Sequence, residues 1–169
     1  EKAHLFLGQL VEGIEKEKII IVPGDRDIYY GNRTENKKES KKIIKRIYDN
    51  AKKYNQEVFL QESERNTLHA RFVRFARFCE GFYDGAVDLH TNYINEQMDE
   101  VSLLCINTAF TSNENGAEEQ FKFIDKNGLD NVINKRKTPC IAIMYHDYHE
   151  IAAVQRKYFS SKLRELGVI

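Results

Sequence analysis

The chain has 169 residues, of which 41% are hydrophobic and 31% charged, as is typical of one soluble globular domain. Its 26 basic and 26 acidic residues balance, so the overall charge gives no reason to expect nucleic acid or an anionic membrane as a partner. No stretch approaches the roughly 20 apolar residues that span a bilayer, and no signal peptide is recognisable at the N-terminus.

The first half of the chain predicts a helix, a strand and two further helices. Residues 2–15 repeat apolar side chains at helical spacing, and residues 18–22 form a β-branched apolar run that Pro23 and Gly24 close, which is typical of a buried central strand. Residues 31–37 are polar and predict a loop, and residues 39–54 predict a helix. The apolar residues of the first helix are Leu5, Phe6, Leu10, Val11 and Ile14.

Residues 55–65 leave two alternatives open, because residues 58–60 suit either a short strand or a loop that anchors itself in the core. Residues 66–82 predict a helix that Asn66 or Thr67 caps, and arginines lie beside its apolar face. Residues 84–99 are polar and rich in turn formers, with Tyr93 as an anchor. The apolar face of the predicted helix consists of Leu68, Phe72, Phe75, Cys79 and Phe82.

The second half alternates two buried strands with helices. Residues 101–106 and 140–145 predict the strands, residues 111–117 a loop, and residues 118–126, 129–134 and 150–166 helical segments. Strands that alternate with helices predict an α/β fold, in a single domain over residues 1–169. The chain begins directly in a helical pattern and ends on the first residues of a further strand, so we expect this domain to be partial.

The three cysteines predict the compartment. Cys79, Cys105 and Cys140 are widely spaced, odd in number and surrounded by apolar residues. This pattern indicates reduced, buried thiols and a cytoplasmic protein, and it does not favour a zinc site.

The end of the first predicted strand carries charged side chains. Asp25, Arg26 and Asp27 directly follow Gly24, at the sheet edge where α/β folds bind ligands. Carboxylates there can hold a hard cation, and an arginine can hold a phosphate through paired hydrogen bonds. These residues alone favour a surface turn with a local Asp–Arg ion pair, because Gly-Asp is common at strand ends.

A second polar cluster follows the strand at residues 140–145. His146, Asp147, His149 and Glu150 suit a metal or phosphate site. The alternative is that Asp147 or His149 simply leads into the following helix.

Three ordered motifs resemble the calcineurin-like metallophosphoesterases. In that family one strand ends in Pro-Gly-Asn-His-Asp, a later strand in Asn-Ser or Asn-Thr followed by Ala, and another in a His. The chain has Pro-Gly-Asp-Arg-Asp at residues 23–27, Asn-Thr-Ala at 107–109 and His146 after its third strand. The aromatic helix around residues 72–82 is also similar to a segment of larger bacterial members. The resemblance covers about residues 5–169 and implies an α/β/β/α sandwich of mixed sheets, incomplete in this chain.

The resemblance assigns roles to individual positions. Asp25 and His146 match metal ligands, with His149 as a weaker alternative to His146, and Asn107 matches a residue of the phosphate site. Arg26 and Asp27 match the catalytic His and the acid that orients it. An arginine can bind phosphate but cannot act as a general acid near neutral pH, and Asp27 is then expected to pair with it. The implied cofactor is a divalent metal (Mn, Fe, Zn or Mg) if the site is intact, and none if it is not.

The replacement at Arg26 favours a degenerate domain. The family's other metal ligands would lie upstream of Glu1 or beyond the strand that begins at Val168. We therefore expect a phosphate- or nucleotide-sensing or scaffolding module of a larger protein, such as a bacterial signalling or defence protein. The alternatives are an active phosphomono- or phosphodiesterase with its remaining ligands outside this chain, and an unrelated α/β domain. Expected partners are a phosphorylated small molecule or nucleotide and further protein segments or chains at an open sheet edge, but no membrane.

Overall fold

A computed structural model of the protein describes residues 2–31, 34–85, 93–95, 102–112, 121–133 and 140–167. Within these ranges it contains helices α1 (Lys2–Leu10), α2 (Thr34–Tyr54), α3 (Glu62–His69), α4 (Val73–Tyr83), α5 (Lys126–Ile133) and α6 (Ala153–Glu165). Its strands are β1 (Tyr93–Asn95), β2 (Ser102–Ile106) and β3 (Cys140–Met144).

The two longer strands are parallel neighbours. The sheet has the order β1-β2-β3, with β1 antiparallel to β2. Ser102 pairs with Cys140 at one end of the parallel ladder and Ile106 with Met144 at the other. The predicted strands at residues 101–106 and 140–145 and the α/β class are therefore confirmed. Because β2 and β3 run in the same direction, the residues that follow them emerge at the same edge of the sheet.

The largest core cluster lies between the parallel strands and the last two helices. All five residues of β2 are buried, as expected for a strand that is covered on both faces. Helices α5 and α6 supply the other side of this core. The buried members of the cluster are Leu104, Ile106, Ile124, Leu129, Ile133, Cys140, Ile151, Phe159 and Leu166.

The aromatic face at residues 66–82 is buried as predicted, but its helix is not continuous. Helix α3 ends at His69, a 3₁₀ turn covers Ala70–Phe72, and α4 continues to Tyr83. Asn66 and Thr67 lie inside α3, so the predicted cap is wrong. The helix begins instead after Gln61, whose backbone N–H donates to the Glu64 carboxylate at 3.0 Å.

The prediction of a buried central strand at residues 18–22 is wrong. A 3₁₀ turn covers Lys16–Lys18, and the chain then runs extended to Gly24 without pairing to any strand in the described ranges. Ile21 packs against the cluster around α4, and the Tyr83 hydroxyl donates to the Ile19 carbonyl at 2.8 Å. A β-branched apolar run can thus bury its side chains against a helix as well as in a sheet.

The sequence predicts a helix over residues 118–126, and this prediction is wrong at residues 121–125, whereas Lys126 begins α5. Residues 121–125 are extended, and Lys122 forms a parallel bridge with Ile151. The Lys122 N–H donates to the Glu150 carbonyl at 2.7 Å, and the Ala152 N–H donates to the Lys122 carbonyl at 2.8 Å. Residues 118–120 lie outside the described residues.

Several predicted boundaries shift. Helix α1 stops at Leu10 instead of residue 15, and α2 begins at Thr34, inside the expected loop. Residues 58–60 form no strand and anchor a loop, with Val58 and Leu60 against the core. A 3₁₀ turn at Tyr148–Glu150 precedes α6. The expected loop at residues 111–117 is described only at its first two residues, and residues 84–99 only in part, with Tyr93 opening β1.

Two surface features differ from the expectation of a covered core. The apolar residues of α1 are largely exposed, including Leu5, Phe6 and Leu10. Strand β3 forms one edge of the described sheet, and its Ile141 side chain is 54% exposed.

The three cysteines are all buried as predicted, and none forms a disulfide. No helix in the described part of the chain has the length and apolar character to cross a membrane.

The core assignment can be checked with two phenylalanines. Phe159 is fully buried in α6, whereas Phe59 is 81% exposed. We expect Phe159→Ala to lower the free energy of unfolding by about 3–5 kcal/mol, because it opens a cavity. Phe59→Ala should change it by less than about 0.5 kcal/mol. Urea denaturation of both variants measures the difference, and equal losses would contradict the assigned core.

Candidate functional site

Four chain segments bring polar side chains together at the edge where β2 and β3 end. The turn after β2 supplies Thr108 and Ser112, and the residue two positions after β3 supplies His146. The extended segment before the Asp25–Asp27 turn delivers Asp25, and the bridge to Ile151 places Lys122. These segments are distant in sequence, so only the folded chain forms the cluster.

Asp25 and His146 are in direct contact. His146 Nε2 lies 3.0 Å from Asp25 Oδ1. The two atoms are in contact, but their geometry is not that of a well-aligned hydrogen bond. The imidazole is buried, while the carboxylate is 24% exposed. The two predicted metal-ligand positions are therefore neighbours, as the sequence motifs led us to expect.

Thr108 orients the imidazole of His146. Its Oγ1 accepts the His146 backbone N–H at 3.1 Å and lies 2.8 Å from His146 Nδ1. With its lone pair engaged by the N–H, the hydroxyl can donate its own proton to Nδ1. That arrangement places the ring proton on Nε2, where it faces Asp25.

Lys122 neutralises the negative charge of the Asp25 carboxylate through its other oxygen. Its ammonium lies 3.3 Å from Asp25 Oδ2 and donates to Ser112 Oγ at 2.9 Å. The Ser112 hydroxyl in turn bonds to Asp25. Lys122 and Ser112 are both buried. A buried ammonium is costly unless it is paired, so Asp25 and Lys122 hold each other in place.

The partners of Asp25 decide its ionisation. Partial burial by itself would raise the pKa of this carboxyl group. The hydrogen bond from Ser112, the contact with His146 and the positive charge of Lys122 outweigh burial, so the pKa lies below its usual 3.8. The carboxylate is consequently ionised at neutral pH.

The turn that carries Asp25 is shaped by its neighbours. The Gly24 N–H donates to Asp27 Oδ2 at 2.8 Å, which closes the 3₁₀ turn Asp25–Asp27. A Cβ on Gly24 would meet the Tyr145 ring at 2.8 Å, so glycine lets the turn approach the end of β3. Burial raises the pKa of Asp27, and the Gly24 N–H opposes this effect.

The remaining predicted site residues are placed differently. Arg26 is exposed, and within the described residues no ion pair joins it to Asp27, which instead caps its own turn. The expected Asp–Arg pair is therefore wrong. Asn107 is buried directly after β2. His149 is exposed and belongs to a 3₁₀ turn in which Asp147 Oδ1 accepts its N–H at 2.7 Å.

The donor set does not fit a family-type metal centre. Both oxygens of Asp25 already contact positively charged or hydrogen-bonding groups, and one of these is the Lys122 ammonium, which would repel a cation. Across the ranges that the structure describes, no group of three or more His, Cys, Asp or Glu side chains is arranged to hold a metal ion.

Sequence reasoning missed the two residues that decide the electrostatics of this cluster. Lys122 lay in a segment with an apparent helical pattern, and Ser112 in a polar loop. A signal for Lys122 was available, because it stands between Phe121 and Phe123 in an alternating apolar pattern that is typical of an extended segment.

A buried contact between a histidine and an aspartate links two helices. His69 Nε2 at the end of α3 lies 3.0 Å from Asp125 Oδ2 at the start of α5. Burial would raise the pKa of Asp125, but the contact with His69 and a hydrogen bond from the Gly128 N–H lower it. Because Asp125 also caps α5, this pair is best understood as a structural link.

Comparisons of the chain with models of known protein families, with curated proteins and with solved structures found no match.

The pairing of Asp25 predicts a pH-dependent stability. The folded-state pKa lies below the unfolded value near 3.8, so the stabilisation by the ionised group is fully present above the unfolded pKa. It is lost as the pH falls through the folded pKa. We expect Asp25→Asn to cost about 1–3 kcal/mol at neutral pH, because it leaves Lys122 poorly compensated.

Urea denaturation of wild type and Asp25→Asn between pH 7 and pH 3 measures this dependence, and the gap should narrow on acidification, from about pH 5 downward. Asp49→Asn, on the exposed face of α2, is the control and should follow the wild type. A gap that stays constant or widens toward acid pH would contradict the assigned pairing.

Proposed function

We propose that this chain is a calcineurin-like phosphoesterase domain that has lost ordinary catalysis. In this proposal it binds phosphate or a nucleotide, as a sensing or scaffolding module of a larger protein such as a bacterial signalling or defence protein. The parallel pair β2–β3 would belong to one sheet of the family's α/β/β/α sandwich. The observation that carries the proposal is the Lys122 ammonium, which neutralises Asp25 beside His146.

The contact between Asp25 and His146 supports the family relationship. The resemblance requires both residues at one sheet edge, although they lie near opposite ends of the chain, and their side chains are 3.0 Å apart. A surface turn unrelated to β3 would not need this contact. The wrong prediction of a strand before Asp25 does not remove it, because the extended segment still leads to the same place.

The charges at the site support the loss of catalysis. An internal ammonium supplies at Asp25 the positive charge that a metal ion supplies in an active member. Arg26, at the position of the catalytic His, stays protonated near neutral pH and cannot donate a proton to a leaving group. Its exposed guanidinium can still bind a phosphate through paired hydrogen bonds.

The predicted phosphate-binding residues are not equally accessible. Arg26 is exposed, whereas Asn107 is only 3% exposed. In the proposed module Arg26 therefore meets the ligand, and Asn107 supports the turn after β2.

One observation favours an active metal-dependent phosphomono- or phosphodiesterase as a second candidate. Asp25 and His146 are adjacent and include two of the side-chain types that bind Mn, Fe, Zn and other divalent ions. Such an enzyme would need its remaining ligands from outside this chain, and Lys122 would have to move away from Asp25.

An activity assay separates the two candidates. We expect the protein, in the longest natural form that can be prepared, to give no turnover of bis(4-nitrophenyl) phosphate with manganese present. The physical reason is that neither a metal-bound nucleophile nor a general acid is available at this site. Release of nitrophenolate is measured by absorbance. Turnover that survives Arg26→Ala but disappears in His146→Ala would establish an active enzyme and overturn the proposal that the domain has lost catalysis.

Phosphate binding should depend on Arg26. We expect Arg26→Ala to weaken the binding of inorganic phosphate by about 10- to 100-fold, the usual effect of losing charge-assisted hydrogen bonds. Isothermal titration calorimetry measures the affinity. The matched control is Arg77→Ala, which removes an exposed arginine on α4. This variant should bind phosphate like the wild type. Equal effects of both variants would mean that phosphate binds only through general positive charge.

A further inference from the structure

A groove runs between the chain at residues 26–31 and the helices at residues 66–78. Two cavities lie along it, and Tyr29 lines both of them. The Tyr29 N–H donates to the Arg71 carbonyl at 2.7 Å, which fixes the two sides of the groove to each other. The cavities are therefore adjacent compartments that share one wall.

The first compartment is cationic. It has a volume of about 230 Å³, and both of its arginines, Arg26 and Arg74, are exposed. The Arg74 guanidinium lies 3.3 Å from the centre of the Tyr29 ring, a contact that holds it in position. Asp27 also lines this compartment, but its carboxylate accepts the Gly24 N–H.

The second compartment is rich in hydrogen-bonding groups. It has a volume of about 370 Å³ and contains the side chains of Asn36, Ser40, Asn66 and Thr67. Amide side chains offer a donor and an acceptor side by side, the pattern that the edge of a nucleobase presents in return. Arg71 also reaches this compartment, but its guanidinium donates to the Leu68, Phe110 and Ser112 carbonyls.

Ser40 supplies independent evidence for a ligand. Its side chain is 1% exposed, and its hydroxyl has no hydrogen-bond partner within the described part of the chain. Leaving a buried hydroxyl without a partner is costly, and such groups are rare in native structures. A ligand in the second compartment would satisfy this hydroxyl.

We propose that this groove binds a nucleoside monophosphate. Its phosphate lies between Arg26 and Arg74, and its base lies in the compartment lined by Asn36, Ser40 and Asn66. This assignment rests on the proposed phosphate-binding role of Arg26 and adds the chemical class of the ligand. A nucleotide matches the groove because it joins a doubly charged anion to a neutral, planar, hydrogen-bonding group.

Calorimetric titrations of the protein with AMP, GMP, CMP and UMP test the proposal. Inorganic phosphate, ribose phosphate and the four unphosphorylated nucleosides are the comparison ligands. We expect at least one monophosphate to bind about tenfold or more tightly than ribose phosphate, since the base adds one or two further hydrogen bonds. Its nucleoside should bind more weakly, because the contacts of the phosphate with the arginines are absent.

Variants assign the two ends of the ligand to the two compartments. Ser40→Ala and Asn66→Ala should each weaken the binding of the monophosphate by about three- to tenfold and leave the binding of inorganic phosphate unchanged. Arg74→Ala should weaken the binding of both ligands. Ser40→Ala should not lower the melting temperature, because it removes a hydroxyl without a partner, so its effect on binding cannot come from unfolding. Gln56→Ala, at an exposed position away from the groove, is the control.

The outcomes separate this inference from the function on which it rests. If inorganic phosphate binds through Arg26 but no monophosphate exceeds ribose phosphate, the inference is overturned and the phosphate-binding module stands. Monophosphate binding that is unchanged in Ser40→Ala, Asn66→Ala and Arg74→Ala also overturns it, because the ligand then binds elsewhere. If neither phosphate nor any nucleotide binds, both proposals fail.

Discussion

The ionised Asp25 carboxylate and its partners hold together the edge of the sheet where β2 and β3 end. Asp25 is partly buried and ionised, so it requires positive and hydrogen-bonding partners, and Lys122, Ser112 and His146 supply them. Each partner comes from a different segment of the chain. Lys122 is itself buried and would be destabilising without the carboxylate. The cluster therefore links the turn after β2, the end of β3 and two further segments, and losing either Asp25 or Lys122 leaves the charge of the other poorly compensated.

The same compensation determines which chemistry the edge can perform. The family resemblance leads us to expect a metal centre where the Asp25 carboxylate contacts the His146 imidazole. The Lys122 ammonium, 3.3 Å from the Asp25 carboxylate, supplies a positive charge that belongs to the protein itself, where the expected metal centre would have a bound cation. Arg26 lies on the same turn, and its exposed side chain lines a separate cavity together with Arg74 and Tyr29. The compensated cluster around Asp25 and the cavity at Arg26 are thus separate features of the structure.

The helical part of the molecule is held by comparable links between distant segments. His69 and Asp125 join α3 to α5, and Arg71 connects the break between α3 and α4 to the turn after β2 through carbonyls of Phe110 and Ser112. The 3₁₀ turn at Ala70–Phe72 is what directs Arg71 inward. The groove beside Tyr29 lies along these anchored elements, so its walls are supported by the core.

The sequence by itself determined β2 and β3, most of α2, α4 and α6, the buried aromatic face from Leu68 to Phe82, and the proximity of Asp25 to His146. These features follow from local periodicity and from motifs at strand ends, which depend on nearby residues. Only the tertiary structure decided that residues 18–22 remain unpaired, that residues 121–125 are extended, and that the apolar residues of α1 are exposed. It also decided that Lys122 neutralises Asp25. The physical reason is that the sequence shows which side chains are apolar or charged, and therefore which favour burial or a partner of opposite charge. Which partner each one contacts depends on the packing of segments that are far apart in sequence.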